Sequence, residues 1–209
     1  MRGIVIAAIA VSCAVPALAA EQRRVFTVDQ PADGITRLVI DSGVGDIDVV
    51  GSDVTTITGS VEVSGKKSSL RKRNLLEKLE LDVRRAGSTL YLEVKGDEDD
   101  HHDWGEEWVL SVPEALALSI DLGVGDVEAR DLSGGVEVDL GVGEVTVEGE
   151  HAAFGRIHAD CGVGDVELRT PEGRQRGEGF IGHELRANGP GKASIDIDIG
   201  VGEATIRLR

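Results

Sequence analysis

Ten carboxylates recur at fixed places in this chain, and metal coordination is the first chemistry they suggest. The phrase Asp-x-Gly-Val-Gly-(Asp/Glu) occurs five times, at 41–46, 121–126, 139–144, 160–165 and 198–203. If the copies stack, the leading acids form one column: Asp41, Asp121, Asp139, Asp160 and Asp198. The closing acids form a second: Asp46, Asp126, Glu144, Asp165 and Glu203. Stacked equivalents lie about 5 Å apart, where two exposed charges repel by up to about 1 kcal/mol in water. That cost asks for compensation. Either each carboxylate accepts hydrogen bonds from amides at the glycine corner, as Asx turns do, or cations bind along the column. Carboxylates and turn carbonyls are hard oxygen ligands suited to calcium. The calcium reading places ligands at Asp121, Asp126, Asp139, Glu144, Asp160 and Asp165. On the first reading no cofactor is needed. The nonapeptide of repeats-in-toxin proteins is a poor match, because here the acid directly follows the second glycine, so none of its ligand assignments carries over.

Other candidates are weaker. His101 and His102 stand beside Asp99, Asp100 and Asp103 in an acidic run, but a transition-metal site also needs fixed geometry and outer-shell support. His151, His158 and His183 stand singly and read as surface residues. Cys161 fills the x position, where the other copies carry Ser, Leu, Leu and Ile, and reads as a core or turn filler. The sequence has no Gly-x-Ser-x-Gly elbow, no phosphate loop and no His-Glu-x-x-His. The reading is therefore non-catalytic. A polysaccharide-active enzyme is a remote alternative, disfavoured by an aromatic content of 3%.

The elements that must position these acids are strands. Two intervals between phrases are 18 and 21 residues, and self-similarity at such a period marks a stacked-repeat fold. Between phrases the chain alternates, with Val136, Val138, Leu140 and Val142 on one face and Glu137 and Asp139 on the other. Each unit reads as two short strands bent at a glycine corner. The expected fold is all-β: a β-solenoid or roll of rungs of about 20 residues with a valine core, successive rungs stacking on one another. One short helix is expected near 68–79, within a 66–107 insertion that ends in the acidic loop. Residues 171–192 read as a degenerate rung with a loop, and 193–209 as the last rung.

Residues 1–20 read as a signal peptide: Arg2, a short apolar run, Pro16, then Ala17-Leu-Ala19. One domain, 21–209, remains, and the protein is expected in the periplasm or at the cell surface and not across the membrane. A lipoprotein anchored through Cys13 is the alternative. With Cys13 removed, Cys161 has no partner for a disulfide. The formal charge of −16 repels nucleic-acid phosphates and anionic lipids.

Trp108-Val-Leu-Ser-Val-Pro113 and Leu118-Ser-Ile-Asp-Leu-Gly-Val-Gly-Asp-Val127 resemble the bacterial "putative adhesin" family, a domain of unknown function with β-solenoid repeats. Its members pair an apolar strand ending in Val-Pro with repeats ending in a Ser-Gly-Asp corner. Here Asp replaces the usual Ser or Thr before the corner, and Val-Gly replaces Ser-Gly. The resemblance implies an envelope-associated, adhesin-like structural or binding module and transfers no binding residues. The expected partner is an envelope protein or polysaccharide, with end-to-end self-association of the stack left open.

Overall fold

The structure, a computed structural model, describes residues 22–65, 75–96, 104–179 and 182–209. The expected signal peptide, the start of the expected helix and the His101–His102 run lie outside the described residues.

Among the described residues, twelve strands form one mixed sheet. They are β1 (Gln22–Pro31), β2 (Arg37–Ser52), β3 (Thr56–Gly65), β4 (Glu80–Ala86), β5 (Thr89–Lys95), β6 (Trp104–Pro113), β7 (Ala117–Arg130), β8 (Val136–Gly149), β9 (Phe154–Thr170), β10 (Gly173–Arg176), β11 (His183–Asn188) and β12 (Ala193–Leu208). The sheet order is β1-β3-β6-β2-β7-β8-β12-β9-β10. A one-turn helix, α1 (Leu75–Lys78), is what the described residues contain of the expected 68–79 helix. Arg24 holds its end by donating to the carbonyls of Leu76 and Glu77.

Five strands, β2, β7, β8, β12 and β9, run parallel and each carries one phrase. Their order corrects the expectation of successive stacking. The last strand does not end the stack but lies between β8 and β9, pairing with both. The segment expected as a degenerate rung is also different. β10 and β11 run antiparallel against the two halves of β9 and flank it instead. At the opposite side β5 pairs with Arg37–Asp41 of β2 and β6 with Gly45–Ser52, so two chain segments together do the work of one.

Each long strand buries alternate residues, but the alternation changes phase at the phrase. In β7, Leu118, Ile120 and Leu122 are buried, and then Val127 and Ala129. The five-residue step from Leu122 to Val127 leaves Gly-Val-Gly-Asp outside. The expected inward face of β8 is corrected by the same step: Val136, Val138 and Leu140 are buried, while Val142 is 46% exposed. Burial resumes at Val145. Side chains from both halves join one core, built mainly of Val, Ile and Leu.

The two glycines of the phrase have a steric cause. Gly143 has φ 147, a region that disfavours any side chain. A Cβ there would lie 1.8 Å from the carbonyl oxygen of Gly125 on the neighbouring strand, and one at Gly141 would lie 2.4 Å from that of Gly123. Backbones approach too closely at these glycines for anything but hydrogen.

Candidate functional site

The Gly-Val-Gly segments where burial changes phase, called the corner from here on, carry three ladders side by side. On its leading side the registers join Glu93, Asp41, Asp121, Asp139, Asp198, Asp160 and Glu184 in an unbroken row across seven strands. Of the six expected calcium ligands, Asp121, Asp139 and Asp160 lie in this row. Asp121 and Asp139 are neighbours, and Asp198 separates Asp139 from Asp160 because β12 is interposed. An open groove of about 430 Å³ runs along it, lined by Asp121, Asp139, Asp160 and Asp198 with Gly123, Gly141 and Gly200. Burial, and then the charges of Glu93 and Asp121, raise the pKa of Asp41 above the usual carboxylate value. Asp139 is raised in the same way, first by burial and then by Asp198 and Asp121.

The closing side places Asp126, Glu144 and Asp165, the other three expected ligands, in a row with Asp46 and Glu203. Here the compensation is visible. The backbone N–H of Asp126 donates to Asp46 Oδ1 at 3.2 Å, and that of Glu144 to Asp126 Oδ1 at 3.0 Å. Asp46 and Asp126 are thus each held by an amide of the next strand, so for these two the hydrogen bonding expected within one turn runs between strands. Among the described residues no three His, Cys, Asp or Glu side chains converge as a metal site.

Between the acid rows runs a row of valines: Val44, Val124, Val142, Val201 and Val163 are in register. Val124, Val142 and Val201 are 46–47% exposed and Val163 is 58% exposed. Five strands at about 4.8 Å make this ridge about 19 Å long. The phrase that reads as a core repeat places its valine in solvent instead. Simple alternation does not mark this change of phase.

Sequence reasoning missed Glu106, the one buried carboxylate among the described residues. Its Oε1 accepts from Trp104 Nε1 at 2.8 Å. Its Oε2 accepts from Trp108 Nε1 at 2.8 Å and Ser42 Oγ at 2.7 Å. Burial raises its pKa, and the three donors oppose that rise. The signal was present. Trp104, Glu106, Trp108, Leu110 and Val112 share one strand face, and Ser42 holds the x position that is apolar in the other copies. With all donors matched, the cluster reads as a satisfied core network beside the corner.

Cys161 is buried, as its position suggested, and donates to the Gly202 carbonyl at 3.2 Å. Burial raises its pKa, away from the thiolate. His158 stands between Asp196 at 2.9 Å and Glu184 at 3.1 Å, and Asp196 above all raises its pKa. No helix of the described residues is long and apolar enough to cross a membrane.

No family model matches the sequence. No curated protein matches it either. The structural neighbours include bacterial putative adhesins and a cell adhesion protein, at nearly full coverage and low identity. A "putative cell adhesion protein" from Clostridium sporogenes aligns over 91% of this chain and 100% of its own, at 17% identity and TM-score 0.49. A "putative adhesin" from Bacteroides fragilis covers 91% and 98%, at 12% identity and TM-score 0.28. A third, from Parabacteroides merdae, covers 92% and 97%, at 10% identity and TM-score 0.27.

Proposed function

We propose that this protein is an exported, non-catalytic binding module of the bacterial cell envelope, adhesin-like in role, built as a β-solenoid with glycine corners. Its ligand-facing surface is the corner itself. One observation carries this reading: a continuous valine ridge stands in solvent between two rows of carboxylates. Contiguous apolar surface rimmed by charge marks interaction sites on soluble proteins. The carboxylates select against anionic surfaces and favour a partner that brings positive charge alongside apolar groups. Two side chains of catalytic type are withdrawn from solvent. Cys161 is sealed in the core, and the buried carboxylate of Glu106 already accepts three hydrogen bonds.

The test is binding of the labelled protein to envelopes isolated from its own host. Saturable binding is expected, weakened at least tenfold by combining Val124→Thr, Val142→Thr and Val201→Thr. A variant that melts like the parent and binds like it removes the ridge as the site. A second reading, calcium along the Asp121, Asp139 and Asp160 row, is supported by the in-register stacking and the raised pKa of Asp139. Melting in EDTA and in millimolar calcium, with magnesium as control, tests it. A calcium-specific rise that Asp139→Asn and Asp160→Asn abolish supports this reading, and superimposed melts reject it.

A further inference from the structure

One outward ladder runs Arg130, Glu148, Arg207 across β7, β8 and β12, alternating in sign, and then stops alternating. Arg207 pairs in register with Arg169 of β9, and Arg169 with Arg174 of β10. Three arginines therefore stand side by side on neighbouring strands, about 4.8 Å apart. Like charges directly opposite one another cost stability, so strand pairing gives no reason for this row. Its counter-charge is short. Glu167 accepts from both Arg169 and Arg174, and Arg176 stands 3.9 Å from the same carboxylate, so three guanidiniums share one acid. Arg169 uses only its Nε in these bonds. Arg207 uses only Nη1, donating to Glu148 at 2.9 Å. The other nitrogens of both half-exposed side chains keep donors for a ligand.

An open cavity of about 550 Å³ lies beside them, lined by Arg169, Arg207 and Arg209, by Glu148, and by the turn at Thr170 and Pro171. Arg209 is held by Asp131 at 2.6 Å and Glu150 at 2.8 Å. The Thr170 hydroxyl accepts from the backbone N–H of Glu172 at 3.3 Å, which leaves its own proton to donate. The volume is that of a small-molecule site. The donors suit an oxyanion, since a guanidinium binds one through two parallel N–H bonds. One such fork fills a planar carboxylate, whereas a tetrahedral phosphate offers an edge to each of two. The acids close by limit the ligand's size. Glu148, Glu150, Asp131 and Glu172, on a chain of net charge −16, repel an extended anionic surface. A compact dianion meets the arginines with less of that repulsion.

We propose that this cavity, at the ends of β9 and β12, binds the phosphate group of a small phosphorylated solute. Arg169 and Arg207 supply the two forks, and Thr170 a further donor. Arg169 and Arg207 each lie four residues past the closing acids Asp165 and Glu203, about 13 Å along their strands. The site is therefore separate from the valine ridge and does not depend on the ridge being a binding surface.

The experiment is an NMR titration of the full chain, nitrogen-15 labelled and purified as its host processes it. Inorganic phosphate, glucose 6-phosphate and glucose are added in turn, at constant ionic strength set with sodium chloride, near neutral pH where a phosphomonoester is mostly the dianion. Saturable shifts of the Arg169, Thr170 and Arg207 amides are expected with both phosphates, with Kd on the order of 1 mM, and none with glucose. Arg169→Gln and Arg207→Gln each weaken binding at least fivefold while melting as the parent does. Arg169→Lys keeps the charge but loses the fork, and also weakens it. Arg156→Gln, an exposed arginine elsewhere on β9, leaves it unchanged. Shifts that fail to saturate, or that chloride alone reproduces, overturn the proposal as unspecific ion attraction. So does an affinity that neither glutamine variant changes. Vesicles of phosphatidylglycerol form the last arm, and no co-sedimentation is expected. Co-sedimentation that glucose 6-phosphate does not displace assigns the arginines to a membrane surface and overturns the small-solute site.

Discussion

The corner and the walls of this sheet handle charge in opposite ways. On the walls, outward ladders mix signs. Arg130, Glu148 and Arg207 alternate across β7, β8 and β12, and Arg207 reaches Glu148 at 2.9 Å. Arg130 also grips both oxygens of Asp48 at 2.7 Å. At the corner, like charges stack. The leading row meets basic side chains only at its ends, Glu93 at Lys95 (3.3 Å) and Glu184 at Arg186 and at His158 (3.1 Å). The five phrase acids between them form no ion pair among the described residues. The same strands supply both patterns a few residues apart, so the fold itself does not demand a like-charged row. Solubility would be served equally by acids scattered over the walls. Stability alone gives no reason to concentrate an acidic line beside an exposed valine line, and that is the contrast on which the proposed binding surface rests.

The comparison breaks most sharply at the glycines. Gly143→Ala is expected to cost about 3 kcal/mol or more, because it combines a disfavoured φ with a clash against backbone that cannot swing aside. Thermal melting checks this, and a wall substitution such as Glu128→Ala is the control, expected to change stability by less than about 0.5 kcal/mol. Next in size is the buried network that supports one end of the corner. Glu106→Leu leaves two indole N–H groups and the Ser42 hydroxyl without an acceptor, at a cost of about 2–4 kcal/mol. Adding Ser42→Leu, the residue type of the other copies, is expected to recover part of that loss. If the double variant is no better than the single, the indoles alone carry the cost.

How far these features were legible in the sequence follows from what each depends on. Strand identity depends on local alternation, so the segments that carry the phrase were readable as strands. The glycine requirement was readable because five copies keep both glycines. The place of β12 was not readable, since insertion between β8 and β9 depends on a crossover and not on any local pattern. The exposure of Val142 was hidden for a different reason. Alternation predicts its face correctly for an unbroken strand, and the phase change is set by close backbone approach at the corner. Glu106 was readable in principle, from an acid at an inward position between two tryptophans and a serine where its equivalents are apolar.

Smaller effects separate wall from corner by sign. On the wall, Arg130→Ala removes a bidentate partner of Asp48 and is expected to lower stability by about 0.5–1 kcal/mol. At the corner, Asp139→Asn removes a charge from a repelling row and is expected to raise the melting temperature by a degree or two at low salt. The pH dependence follows from the same row. Asp41 and Asp139 have folded pKa values raised above their unfolded ones, so the folded state holds their protons more tightly. Their stabilising contribution is full below the unfolded value of 3.8 and is lost as pH rises through the folded value. The contribution of these two groups to the melting temperature should therefore grow as pH falls toward the carboxylate range, against the loss from Glu167 and Glu184, whose pKa values are lowered, and Asp139→Asn should remove its share of that growth. His158 acts in a separate, higher window. Its raised pKa gives stability that is full below 6.5 and fades as pH rises through its folded value, so His158→Gln should flatten only that part. Added salt discriminates further, since screening should erase the gain from Asp139→Asn. A gain that persists at high salt would place its origin in relief of burial and not in repulsion along the row, and the contrast between corner and wall would then be one of desolvation.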